Sequence, residues 1–285
     1  TDIVQATLLV AGGLMVTGIT LGQLGEGRGI LAGFGRLTTE LPGHFDMILS
    51  PDNPFYRDLP GLSVLIGGMW IANLSYWGFN QYIIQRALAA KDLKEAQKGV
   101  VFAAFLKLLM PVIIVLPGIA AVIIEPGLAR PDEAYPSMMR LLPTGILGLV
   151  FAALVAAIVA STASKVNSVA TIFTLDLYAR FKPAPRPVEP EGDIADPDVS
   201  ARASPAQAKR ERELVRVGRI AAVVATVIAI LTARPLLGSF DQGFQYIQEF
   251  TGFITPGIVV IFLLGLFWKR ASEAGAIRAA IGSGL

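Results

Sequence analysis

Four polar or aromatic side chains recur at helical spacing inside an apolar stretch. Asn73, Tyr76, Trp77 and Asn80 fall at i, i+3, i+4 and i+7, which places them on one face of a helix. An amide donates to and accepts from hydroxyl groups, and a flat ring can stack on the apolar face of a polyhydroxylated molecule. The pattern indicates either a binding face for such a ligand or a face that bonds neighbouring helices. Glycines on both sides predict helix breaks that expose backbone groups: Gly67, Gly68 and Gly78.

Lys107 is the one charged residue in the next apolar stretch. An ammonium group within a bilayer costs roughly 2.5–3.5 kcal/mol on insertion scales, so it needs carbonyl, carboxylate or ligand oxygens nearby. Two interpretations remain open from the residue alone. Lys107 belongs to a ligand site or gate, or it forms a purely structural pair.

Two later stretches also carry polar groups. Ser161, Ser164, Lys165 and Ser168 share a helical face. Hydroxyl oxygens are hard ligands that suit Na⁺, but small and hydroxylated residues also mediate ordinary packing between membrane helices. Gln248 precedes Gly252, Pro256 and Gly257. That order predicts a kinked helix that carries an amide towards a cavity, or a solvated amide at the membrane edge.

The elements that must position these side chains are membrane-spanning helices. Of 285 residues, 53% are hydrophobic and 16% are charged, with a mean hydropathy of +0.59, whereas soluble domains carry about 25% charged residues. The sequence predicts an all-α polytopic membrane protein. Its six predicted spans and the start of a seventh are 3–24, 61–85, 99–124, 144–178, 217–234, 243–268 and 275–285.

Several chemistries are excluded by what the sequence does not contain. It has no cysteine and a single histidine, His44, so disulfides, thiolate metal sites and histidine zinc sites are excluded. The glycine cluster at Gly25, Gly27 and Gly29 lacks the Gly-Lys-Ser/Thr continuation of a phosphate-binding loop. We therefore expect no enzyme activity and no cofactor. If the protein moves a solute across the membrane, the energy should come from an ion gradient or from downhill flow of the solute.

The distribution of Lys and Arg predicts the orientation. Connectors on one side hold 15 of these residues and connectors on the other side hold six, and the richer side is cytoplasmic. Loops 86–98 and 179–216 are then cytoplasmic in a multi-pass protein of the inner (plasma) membrane. Residues 182–213 are rich in proline and charge, which predicts a flexible cytoplasmic linker; a docking site for a regulator is the alternative.

Long stretches of the chain resemble one transporter family. The strings are NLSYWGFNQYIIQR at 73–86, AQKGVVFAAFLK at 96–107, ASKVNS at 163–168, FQYIQE at 244–249 and LLGLFWK at 263–269. They resemble the sodium/solute symporter family, and more narrowly its bacterial sodium/galactose symporters. The resemblance implies a LeuT-like inverted-repeat core, of which residues 1–285 hold core helices five to ten and the start of the next. Core helices one to four would be absent, and a start without methionine agrees with a fragment.

The resemblance also implies roles for individual residues. The positions that match sugar ligands are Asn73, Lys107 and Gln248, and the position that matches an aromatic inner gate is Tyr76. The positions that match the sodium path are Ala157 (backbone carbonyl), Ser161 (hydroxyl) and Asp2 (exit route). Two residues depart from the pattern. Ala160 stands where the sugar branch has a second serine, and Lys165 stands where an apolar residue is usual, so its charge would weaken sodium binding.

The function implied is sodium-coupled symport of a galactose- or glucose-like sugar by alternating access. The partners would be the sugar or another small polar solute, Na⁺ as coupling ion and the bilayer, with no nucleic acid. The alternatives are a symporter of the same family for an amino acid, inositol or a carboxylate, and a membrane sensor that keeps the transporter fold.

Overall fold

The computed structural model describes residues 2–54, 56, 61–182, 205–237 and 243–283, and these contain helices and connectors without a strand. The α-helices are Asp2–Leu24, Ile30–Glu40, Gly61–Ser63, Met69–Leu74, Gln81–Leu88, Leu93–Leu108, Leu116–Ile124, Ala134–Met139, Thr144–Thr171, Ala179–Phe181, Pro205–Leu237, Gly243–Phe267 and Glu273–Gly282. Wider π-helical turns join several of them: Val64–Gly68, Ser75–Phe79, Pro111–Val115 and Ile172–Tyr178. Short 3₁₀ turns occur at Pro42–Phe45 and Pro131–Glu133.

Six helical stretches in the described residues are long and apolar enough to cross a membrane. These spans are Ile3–Leu24, Gly61–Phe79, Leu93–Ile124, Thr144–Phe181, Gln207–Ala233 and Tyr246–Phe267. They confirm the predicted all-α polytopic class. The predicted start of a seventh span forms the helix Glu273–Gly282, which packs against the sixth span.

Two span boundaries differ from the sequence-based ones. The second span ends at Phe79 rather than at 85, because Asn80 has an extended backbone and a separate helix begins at Gln81. The helix that carries the fifth span begins at Pro205, inside the predicted linker 182–213. Proline suits the first position of a helix and the following alanine, arginine and glutamate residues are good helix formers. Residues 183–204 of that linker lie outside the described residues.

The described residues group into two compact units, Thr1–Ile158 with Ser239–Leu285 and Val159–Gly238. In the first unit the first span forms the centre of the core. Val16 and Leu21 are buried there, each within its own apolar cluster. The Thr17 hydroxyl contacts the carbonyl oxygens of Gly13 at 3.0 Å and Val112 at 2.7 Å. The bond to Val112 joins the first span to the π turn of the third span, in which Pro111 has no amide hydrogen to donate.

A short helix, Ile30–Glu40, lies against the end of the first span. The turn before it uses backbone conformations with positive φ at Glu26 (49°), Gly27 (83°) and Gly29 (92°). The buried Gly33 then meets the backbone of Leu21 so closely that a Cβ on it would lie 1.8 Å from the Leu21 carbonyl oxygen. Glycine is therefore the residue that lets these two helices touch.

In the second unit, the end of the fourth span is bonded to the start of the helix Pro205–Leu237. The Glu213 carboxylate accepts hydrogen bonds from the Tyr178 hydroxyl and the Lys182 ammonium group. Arg210 donates to the Lys182 carbonyl oxygen, and its guanidinium lies 3.8 Å from Glu213 Oε2. We call these four residues, Tyr178, Lys182, Arg210 and Glu213, the clasp. The bond to Glu213 raises the pKa of Lys182.

Candidate functional site

The second span is irregular where its polar residues lie. The turn Ser75–Phe79 is π-helical, and Asn80 then leaves the helix with φ −86° and ψ 116°. The backbone carbonyl of Asn80 accepts from the amides of Ile83 and Ile84 and so starts the next helix. A π turn holds more residues than an α turn. The regular face predicted for Asn73, Tyr76, Trp77 and Asn80 therefore does not continue to Asn80, and this part of the prediction is wrong.

The irregular turn brings three aromatic rings together. The Tyr82 hydroxyl donates a hydrogen bond of 2.8 Å to the Tyr76 hydroxyl, and the two rings meet edge to face with centroids 6.2 Å apart. Tyr76 also meets the Trp77 ring edge to face at 5.3 Å. Such T-shaped contacts match the positive edge of one ring to the negative face of another. The Tyr76 and Trp77 side chains are 45% and 44% exposed, so both keep surface for a ligand.

Lys107 of the third span completes this group. Its ammonium nitrogen lies 4.9 Å from the centroid of the Trp77 ring, within the range of a cation–π interaction. The contact joins the second and third spans through a charge and a ring. It also positions an ammonium group whose donors are suited to the oxygens of a polar solute. We call Tyr76, Trp77, Tyr82 and Lys107 the aromatic–lysine group.

The other two residues predicted to bind a sugar lie outside the aromatic–lysine group. The Asn73 side-chain amide donates to the Met69 carbonyl oxygen at 2.8 Å, one turn earlier in its own helix. Gln248 is exposed on the sixth span. That span packs against the second one, where the rings of Phe79 and Phe262 stack 4.8 Å apart at 13°. The helices of all four predicted sugar ligands thus belong to the first unit.

The residues predicted for the sodium path lie on two helices. Asp2 is the first residue of the helix Asp2–Leu24. Ala157 and the exposed Ser161 lie one turn apart on the helix Thr144–Thr171. In the next turn, the Ser164 hydroxyl donates a hydrogen bond to the Ala160 carbonyl oxygen of the same helix at 3.0 Å.

Tyr82 is the member of the group that the sequence did not indicate. It follows Tyr76 by six residues, which in a regular helix would place it about 240° around the axis. Only the π turn and the break at Asn80 bring its hydroxyl to Tyr76. The available signal was the glycine at 78, which predicted a break without fixing its geometry.

The aromatic–lysine group has the properties of a site for a small polar solute. Two exposed ring surfaces offer stacking area, a phenol and an ammonium group offer hydrogen-bond donors, and both helices are membrane spans. A polyhydroxylated molecule requires this combination of flat apolar faces and donors.

Comparison with known proteins identifies the family to which the sequence is similar. The model of the sodium:solute symporter family matches residues 1–191 and 194–283. A sodium/glucose cotransporter from Vibrio parahaemolyticus is 49% identical over 300 residues, covering 99% of this chain and 51% of the relative. A sodium/myo-inositol cotransporter 2 from Bos taurus is 33% identical, covering 97% and 41%. A sodium/mannose cotransporter SLC5A10 from Bos taurus is 31% identical, covering 97% and 47%.

The chain spans about half the length of these curated relatives. The family match extends over all six spans and over both units, and it includes every residue of the aromatic–lysine group. The chain belongs to the sodium:solute symporter family.

Proposed function

We propose that this chain forms part of a secondary transporter that couples the uptake of a sugar to sodium. The main observation that supports this proposal is the aromatic–lysine group, in which Lys107 lies over Trp77 beside the Tyr76–Tyr82 hydroxyl pair. Asn73, Lys107 and Gln248 bind sugar hydroxyls, and Tyr76 closes the inner side of the site by stacking on the ring. Residues 1–285 form core helices five to ten and the start of the next in an inverted-repeat transporter, with residues 86–98 and 179–216 on the cytoplasmic side.

The sodium path in this proposal consists of Ala157, Ser161 and Asp2. The Ala157 carbonyl and the Ser161 hydroxyl supply oxygen ligands, which hard cations prefer, and Asp2 lies on the exit route. Sodium bound there stabilises the state that binds sugar, so sodium raises sugar affinity and sugar raises sodium affinity by the same factor. The supporting observation is that Ala157 and Ser161 occupy successive turns of one membrane span.

Uptake into proteoliposomes that hold the natural full-length protein tests the proposal. We expect labelled glucose or galactose to accumulate with an inward sodium gradient and to reach only equilibrium with potassium in its place. Equal uptake in the two salts would contradict sodium coupling. Sodium-driven uptake that unlabelled sugars do not inhibit would contradict the sugar as solute.

A second solute class has a specific observation in its favour. A relative that covers 97% of this chain is named for myo-inositol. Inositol offers the same ring of hydroxyls to the same stacking and donor groups. Competition of glucose uptake by unlabelled inositol, mannose and an amino acid separates these classes. If inositol inhibits glucose uptake most strongly, the proposed solute is a cyclic polyol rather than a hexose.

Restoring a hydroxyl at residue 160 is expected to tighten sodium binding. Ala160→Ser adds an oxygen beside Ser161, and one added polar contact is worth about 1 kcal/mol. The sodium concentration for half-maximal uptake should fall about fivefold. Ala163→Ser is the control, because it makes the same change at an exposed residue of the same helix, three residues later. An equal fall in both variants, or none in Ala160→Ser, would contradict the assignment of Ser161 to sodium.

A further inference from the structure

Four basic residues form a stripe on the helix Pro205–Leu237. Lys209, Arg212, Arg216 and Arg219 follow at intervals of three, four and three, and all four are exposed. At about 100° per residue they lie within about 80° of each other around the axis, and they extend over about 15 Å along it. We call these four residues the basic stripe.

The clasp occupies a different side of the same helix. Arg210 and Glu213 bond to Tyr178 and Lys182, and Gly218 packs so that a Cβ on it would lie 3.3 Å from the Thr174 hydroxyl. Arg210 and Gly218 each lie about 140° around the helix from the centre of the basic stripe, and Glu213 lies about 80° from it. The helix is therefore fixed to the end of the fourth span by one side while the basic stripe is directed away from that contact.

Among the described residues in this part of the second unit, basic side chains are paired with an acidic one at the clasp. Glu213 lies against both Lys182 and Arg210 and so compensates them. Glu211 lies about 120° from the centre of the basic stripe. Glu213 lies four residues after Lys209 and three before Arg216, at the edge of the basic stripe, and its carboxylate is already engaged by Lys182 and Arg210. Among the described residues of this helix, the four positive charges of the stripe thus exceed the neighbouring negative charge, and an anion that binds there lowers their mutual repulsion.

The position of the basic stripe along the helix indicates which kind of anion can bind to it. Arg219 directly precedes the uncharged apolar run from Ile220 to Ala233. The stripe therefore extends from water to the level at which the fifth span enters the hydrocarbon. A soluble macromolecule meets the headgroup layer before it reaches Arg216 and Arg219, whereas the phosphate of a neighbouring lipid lies at this level. Guanidinium groups bind phosphate oxygens with two parallel hydrogen bonds.

We infer that the basic stripe Lys209–Arg212–Arg216–Arg219 is a binding site for the headgroups of anionic phospholipids. The lipid phosphates neutralise the stripe and anchor the clasped helix pair at the membrane surface. The inference does not depend on the proposed solute or on sodium coupling, because none of its residues belongs to the aromatic–lysine group or to the proposed sodium path.

The test measures lipid retained by the purified full chain in detergent. The protein is equilibrated with equal amounts of phosphatidylglycerol and phosphatidylcholine, and bound lipid is counted by native mass spectrometry. We expect a preference for phosphatidylglycerol over phosphatidylcholine. This preference should fall roughly tenfold or more in Arg212→Gln/Arg216→Gln, because that variant removes two of the four basic residues that attract the anionic headgroup. Arg270→Gln/Arg278→Gln removes the same charge from two exposed arginines of the other unit and should keep the preference.

Each other outcome overturns the inference. Equal retention of the two lipids would show that no anionic site exists, and an equal fall in both double variants would show a general effect of charge. Displacement of phosphatidylglycerol by inorganic phosphate alone would identify a site for a free anion. Arg212→Lys/Arg216→Lys keeps the charge and covers the case in which the glutamine variant unfolds. A loss of preference in this folded lysine variant would contradict the role of charge.

Discussion

Replacing Lys107 by alanine is expected to abolish most sodium-driven sugar uptake. The ammonium group lies 4.9 Å above the Trp77 ring, within a span whose surroundings are apolar. A hydrogen bond from a charged donor to a ligand is worth about 1.5–3 kcal/mol. Its loss corresponds to a reduction of about 10- to 150-fold in sugar affinity. Initial uptake rates over a range of sugar concentrations measure this change.

The control is another lysine on the same helix. Lys98 is exposed and pairs with Glu95 at 2.7 Å, nine residues before Lys107. Lys98→Ala should leave uptake within twofold of the wild type, since exposed ion pairs contribute little. The reconstituted amount of each variant is measured so that a folding defect is not mistaken for lost binding. Wild-type uptake in Lys107→Ala would remove Lys107 from the sugar site and leave it as a structural contact to Trp77.

Replacing Gly33 by alanine is expected to destabilise the fold more than its small size suggests. A Cβ on this residue would lie 1.8 Å from the Leu21 carbonyl oxygen and 2.7 Å from the carbonyl carbon. Both atoms belong to the backbone, so the helix Ile30–Glu40 must move away from the first span. Overpacking of this kind costs about 1–3 kcal/mol. Thermal unfolding in detergent, followed by tryptophan fluorescence, should show a lower midpoint.

Gly35 of the same helix is the matched control. It is exposed and has no atom within 4 Å of the position where a Cβ would lie. Gly35→Ala should therefore leave the midpoint unchanged or raise it, because alanine is about 1 kcal/mol better than glycine inside a helix. Equal midpoints for the two variants would show that the helix Ile30–Glu40 can shift without cost. The close contact with Leu21 would then not hold the first unit together.

The number of spans could be predicted from the sequence because a bilayer imposes one simple requirement. A helix needs about 20 apolar residues to cross it, and six such runs stand out between charged connectors. The π turns could not be predicted in the same way. Ser75–Phe79 and Ile172–Tyr178 contain the same kinds of residue as the regular turns beside them, and their geometry depends on packing between helices.

Some features of the candidate site could also be predicted from the sequence, and others could not. The spacing of Tyr76 and Trp77 identified the second span as the polar one, and the isolated charge identified Lys107. The contact between Lys107 and Trp77 joins residues thirty positions apart on two spans, and no local pattern encodes such a distance. Gly33 illustrates the limit for packing. It is one of 29 glycines in the sequence, and only the approach of Leu21 distinguishes it from Gly35.

The clasp also has an evolutionary consequence. Lys182 and Arg210 are held together by the clasp, whatever the number of residues between them in the sequence. The free energy needed to close a loop rises by only about 0.6 kcal/mol for each doubling of that length. Insertions and deletions between 183 and 204 can therefore accumulate without moving the two spans that the clasp joins. The interruption of the family match at residues 192 and 193 falls within this stretch.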